Sequence, residues 1–123
     1  MSWIDRANQW ALNIIRGQKV ESVLADQDGV KFTIAGALRL LQWSEVEEIA
    51  VLAQPALATG SFTLAIRGPG TTLTLIDGTA KGFSQLCDEI PRRLDGVVPY
   101  PQWSLELLAA PEESGKVIFR RGT

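Results

Sequence analysis

The chain has 123 residues, 46% apolar and 21% charged, which suits one globular domain with its own core and excludes a disordered tract. Its 12 basic and 14 acidic side chains leave a net charge of −2, without the basic surplus of a general nucleic-acid binder, so no nucleic-acid partner is expected. It contains no histidine and one cysteine, which removes intramolecular disulfides, Ser-His and Cys-His nucleophile pairs and the usual zinc sites.

Residues 2–16 read as an amphipathic helix. Trp3, Ala7, Trp10 and Ile14 fall on one line with Ile4, Ala11 and Ile15 beside it, an arc of roughly 140°. Ser2 suits the N-cap and Gly17 the stop. Asp5, Arg6, Asn8 and Gln9 interrupt any signal-peptide core, and no apolar run approaches the roughly 20 residues of a membrane span. A soluble, cytoplasmic protein is expected.

Short strands follow. Lys19–Ala25 is the first, and Asp26-Gln27-Asp28-Gly29 is a hairpin turn. Val30, Phe32 and Ile34 alternate with Lys31 and Thr33, which gives one buried face. Ala35-Gly36 permits another tight turn before a third strand, Ala37–Gln42. Trp43-Ser44-Glu45 is a corner, and Val46–Ala53 reads as a fourth strand, although Trp43, Val46, Ile49 and Ala50 also match a helix period. Residues 54–60 form a loop around Pro55. Phe62, Leu64 and Ile66, then Leu73 and Leu75, mark two more alternating strands about the Gly68-Pro69-Gly70 turn.

A helix from Ala80 or Gly82 to Leu94 closes this series. Phe83, Leu86, Cys87, Ile90 and Leu94 repeat at i, i+3, i+4, i+7 and i+11, and Pro91 predicts a late kink or short break. The remainder reads as a Pro-containing stretch (97–101), an apolar piece (103–108), a polar loop (111–115) and a strand-like run, Lys116–Arg121. The expected organisation is an N-terminal helix over 1–17, a domain over 18–96, and a tail over 97–123 packing on that domain.

Several strands capped by one amphipathic helix resemble a pleckstrin-homology-like domain. Trp43-Ser44-Glu45-Val46-Glu47-Glu48-Ile49 resembles the W-x-x-[IV]-x-x-I corner common in bacterial members of that fold. Gly82-Phe83, Leu86 and Ile90-Pro91-Arg92-Arg93-Leu94 resemble their closing helix. Trp103 and Val117-Ile118-Phe119-Arg120-Arg121 are similar to the tail of an uncharacterised bacterial family of this fold. The resemblance spans about residues 18–121. It implies an α+β fold: a mostly antiparallel, six- to seven-stranded curved sheet or barrel with one closing helix, here with an added N-terminal helix and a tail strand. Lipid-binding members hold inositol phosphates with Lys and Arg around the first hairpin loop. The loop here is Asp26-Gln27-Asp28-Gly29, which argues against phosphoinositide. The acidic Ala109-Ala110-Pro111-Glu112-Glu113 also departs from the family pattern.

Fold alone assigns no function. Cys87 on the apolar helix face reads as core, and Glu21, Glu45, Glu47 and Glu48 as a solvated acidic edge without calcium-loop spacing. The candidate contact surface is the Trp3, Trp10 and Ile14 stripe together with Tyr100 and Trp103; Trp43 and Trp103 also read as core or tail anchors. Arg92, Arg93, Lys116, Arg120 and Arg121 form a candidate basic patch, provided that the last strand lies beside the end of the closing helix. No catalytic residue, metal or cofactor is expected. The leading expectation is a non-enzymatic binding or scaffold module acting through a protein partner or self-association. An anionic membrane surface met by the N-terminal helix is the alternative, and a carboxylate-based hydrolase is a distant third.

Overall fold

The computed structural model describes residues 20–52, 62–70, 72–109 and 115–121, and the backbone alone at 108 and 109. The sequence expectation for residues 1–17 lies outside this range. The described residues form an α+β fold with two antiparallel sheets and two helices.

The first sheet is β1 (Val20–Asp26), β2 (Gly29–Ile34) and β3 (Ala37–Leu41), in that order. Two local devices close its hairpins. The Asp28 N–H donates to Asp26 Oδ1 (2.9 Å) in the first turn. In the second, Ala35 and Gly36 both take positive φ, 51° and 79°, which matches the strand twist of a two-residue hairpin. Gly29 is required by close approach, because a Cβ there would overlap the Leu41 carbonyl oxygen.

The corner at Trp43–Glu45 is a single 3-10 turn. Glu45 Oε1 accepts the Gln42 N–H (2.9 Å), and Trp43 Nε1–H reaches back to the Asp26 carbonyl (2.6 Å). The corner is thereby pinned to the first hairpin. The chain then enters β4 (Glu48–Leu52), which settles the strand-or-helix ambiguity of this region in favour of strand. Every β4 residue is buried, so apolar residues appear without alternation and periodicity cannot separate the two states.

The second sheet has the order β6-β5-β4-β7, with β5 at Thr63–Arg67, β6 at Leu73–Asp77 and β7 at Gly115–Arg120. The terminal strand-like run thus pairs with β4, Glu48 opposite Arg120 and Leu52 opposite Gly115. A bulge between Ile49 and Ala50 breaks the alternation of β7, so that Ile118 and Phe119 are both buried.

Helix α1 (Phe83–Arg93) lies against β1. Phe83, Leu86, Cys87, Ile90 and Leu94 are all buried, as their spacing predicts. The expected break at Pro91 does not occur. The helix continues to Arg93, because Pro91 removes only one bond, to the Cys87 carbonyl, in the last turn. A second helix, α2 (Tyr100–Ala109), stands where the sequence showed only an apolar piece. Pro101 sits in its first turn, where no N–H is needed, and the Pro99 carbonyl accepts the Gln102 and Trp103 N–H groups (3.0 and 3.1 Å). The one closing helix expected from sequence is therefore followed by another helix and a strand. One core unites Val23, Phe32, Ile49, Ile66, Leu86 and Trp103 from both sheets and both helices.

Candidate functional site

The edges of the first sheet are finished in opposite ways. At β1, the Val23 N–H donates to the Lys81 carbonyl (2.8 Å), and the Lys81 N–H donates to the Glu21 carbonyl (3.1 Å). Two residues on, the Gln85 amide takes over as a strand mimic. Its Nε2 donates to the Ala25 carbonyl (2.6 Å) and its Oε1 accepts the Ala25 N–H (2.9 Å). Gly82 makes this seam possible. It takes φ 92°, and a Cβ there would overlap the Val23 carbonyl oxygen.

At β3 no such cover exists among the described residues. Ile34 and Ala37 flank a two-residue turn and form its closing hydrogen-bonded pair. Alternation then makes Thr33–Leu38 and Lys31–Leu40 non-hydrogen-bonded pairs. The N–H and C=O groups of Leu38 and Leu40 consequently point away from β2, at an edge that no described segment covers. Their side chains are exposed as well, Leu38 at 73% and Leu40 at 48%. Leu24 (53%) completes a cross-strand row, Leu24–Lys31–Leu40, on the outer face of this sheet. Natural edge strands are usually blunted by charge, proline or a covering element. Here Arg39 supplies the only charge on β3.

The charges around this edge are unequal. Lys31 Nζ lies 2.9 Å from Asp26 and 3.6 Å from Asp28. Its hydrogen bond holds the Asp26 carboxyl below the ordinary carboxylate range, and Asp26 in turn raises Lys31. Arg39 is exposed and forms no ion pair with any described residue.

The residues singled out from sequence are placed as follows. Trp3, Trp10 and Ile14 lie outside the described residues. Trp103 is buried at 2%, with edge-on ring contacts to Phe62 (5.1 Å) and Tyr100 (4.8 Å), so it is an anchor and not an exposed contact. Tyr100 remains partly exposed above it.

Four of the five basic residues are engaged, each with its own partners, and only Arg93 within its own element. Arg93 pairs with Glu89 (2.7 Å) on its own helix, and Lys116 pairs with Glu106 of α2 (2.6 Å). Arg120 lies 3.2 Å from Glu48. Arg121 donates to the Val46 and Trp43 carbonyls (2.7 and 2.6 Å) and clamps the corner. Arg92 is exposed near the end of α1. Lys116 and Arg120 sit toward opposite ends of β7, so this strand spreads its charges.

Glu48 corrects the reading of a solvated acidic edge. It is buried, 2.6 Å from Arg67, and lies between Arg67 and Arg120 in one cross-strand row. Cys87 is buried, and burial, with a smaller contribution from Asp88, pushes its thiol up to about 12, which leaves it protonated at neutral pH. Among the described residues no group of three or more side chains has the makings of a metal site, and no helix is long and apolar enough to cross a membrane.

The free edge escaped the sequence reading. Leu38-Arg39-Leu40 looks like any alternating strand until its neighbours are known. The available signal was the pair Leu38 and Leu40, which share a strand face with Lys31 and Thr33 across the hairpin rather than with Phe32. No protein-family model matches this chain, and no curated protein or solved structure shows significant similarity to it.

Proposed function

We propose that this chain is a non-enzymatic protein-binding module of pleckstrin-homology-like architecture, and that it engages its partner by accepting a strand at the free edge of β3. The supporting observation is the contrast within one sheet: β1 is sealed by Lys81 and Gln85, whereas β3 presents outward backbone groups flanked by Leu38 and Leu40. Strand addition draws affinity from such main-chain groups and specificity from alternate side chains. The pleckstrin-homology-like part is supported by six antiparallel strands in two sheets, a corner at Trp43, and α1 laid on β1. The helix α2 between α1 and the tail strand departs from that plan.

Leu40→Pro tests the reading directly. The Leu40 N–H points away from β2, so proline removes an edge donor without removing a ladder bond. Affinity capture with wild-type and Leu40→Pro chains should retain a partner on the first only, with both showing the same folded circular dichroism. Identical captured sets would sink the edge as the contact. Co-sedimentation with anionic liposomes, with and without residues 1–17, provides the competing arm. Salt-sensitive binding that survives Leu40→Pro and needs residues 1–17 would move the function to a membrane surface.

A further inference from the structure

We infer that the strand accepted at β3 comes from a different protein and carries an acidic residue between two apolar ones, the carboxylate lying opposite Arg39. This rests on the strand-addition reading above and specifies its partner.

A second copy of the chain is the simplest occupant of an open edge. Antiparallel pairing that uses both outward-facing residues of each copy sets Leu38 against Leu40. That register puts the two Arg39 side chains directly opposite each other, and like charges in that position are destabilising. A shifted register relieves the clash but gives up part of the short ladder. The strand is only Ala37–Leu41, so little pairing remains.

The same residue favours a heterologous strand of opposite charge. Lys31 is already neutralised by Asp26 and Asp28, whereas Arg39 has no ionic partner among the described residues. Arg39 shares a strand face with Phe32 and Val23, opposite to the face that carries Leu38, Leu40 and Leu24. An incoming strand alternates in the same way. The residue paired with Arg39 therefore lies on the Phe32 side, and its two neighbours lie on the Leu38 and Leu40 side. A carboxylate suits the first position and apolar side chains suit the other two. The recognised element is an extended apolar–acidic–apolar segment.

The test is selection of random heptapeptides displayed on phage against the full chain, its Arg39→Glu variant and its Leu40→Pro variant. The expected result is enrichment of apolar–acidic–apolar peptides on wild type, of apolar–basic–apolar peptides on Arg39→Glu, and of neither on Leu40→Pro. Replacing the acid of a selected peptide by its amide should weaken binding about threefold, the scale of an exposed ion pair. The bound peptide should shift the Leu38 and Leu40 amide resonances. Alternating apolar peptides without charge preference, still lost on Leu40→Pro, would overturn the acidic partner and leave strand addition standing. The same peptides selected on Leu40→Pro, or no enrichment on any form, would overturn both.

Discussion

The first sheet has two edges built from comparable residues, and they meet opposite fates. β1 carries Val23, Leu24 and Ala25; β3 carries Leu38, Arg39 and Leu40. At β1 the chain returns after β6, and a backbone bridge at Lys81 and a side-chain amide at Gln85 occupy the Glu21 carbonyl, the Val23 N–H and both backbone groups of Ala25. At β3 nothing among the described residues returns. Edge chemistry thus follows from what the rest of the chain brings alongside a strand, and less from the strand's own composition.

The comparison is most easily broken at its closed side. Gly82→Ala should cost about 3 kcal/mol, from a left-handed conformation forced on a residue with a Cβ and from overlap with the Val23 carbonyl. Chemical denaturation reads this as a lowered midpoint, and a loss below about 1 kcal/mol would mean that the seam adjusts freely. Gln85→Ala leaves the Ala25 N–H and C=O without their amide partner and should cost about 2 kcal/mol. Hydrogen exchange at Ala25 should rise with it, while exchange in β2 stays protected.

On the open side the expected effects on stability are smaller. Ala35→Asn should raise stability by up to about 1 kcal/mol, because Ala35 holds a φ of 51° that asparagine tolerates better. An unchanged melting temperature would count against strain in that turn. Leu40→Pro should change stability by less than about 1 kcal/mol, since it touches no ladder bond, and yet abolish partner binding. A loss as large as that of Gly82→Ala would show that β3 is not a free edge.

The smallest effect concerns pH. The folded pKa of Asp26 is depressed by the Lys31 hydrogen bond, so its contribution to stability is present above the unfolded carboxylate pKa of about 3.9 and is lost as pH falls through the lower folded value. An Asp26 titration midpoint at or above the ordinary value would show that Lys31 is not held, and Arg39 would no longer be the single uncompensated cation of this sheet.

Much of this fold was legible in the chain itself. The stripe Phe83, Leu86, Cys87, Ile90 and Leu94 specified α1 and its buried face, because a 3.6-residue period needs no knowledge of the neighbours. Asp28-Gly29 and Ala35-Gly36 specified the hairpins through local backbone chemistry. Helix α2 was not legible: Pro99 and Pro101 read as breakers, and the exposed Leu105 blurs the Trp103–Leu107 stripe. The ion-pair row around the buried Glu48 was also hidden, since it joins residues 19 and 72 positions apart.

Alternation, turn residues and helical period are short-range properties, and they determined the elements and their inward faces. Which strand closes an edge, which arginine finds a carboxylate and which leucine stays in water depend on contacts between distant segments. Only the tertiary structure decided that Gln85 would seal β1, that Trp103 would be an anchor, and that no described segment would lie along the outer edge of β3. Each of those outcomes depends on whether two distant parts of the chain meet, and no local pattern records that.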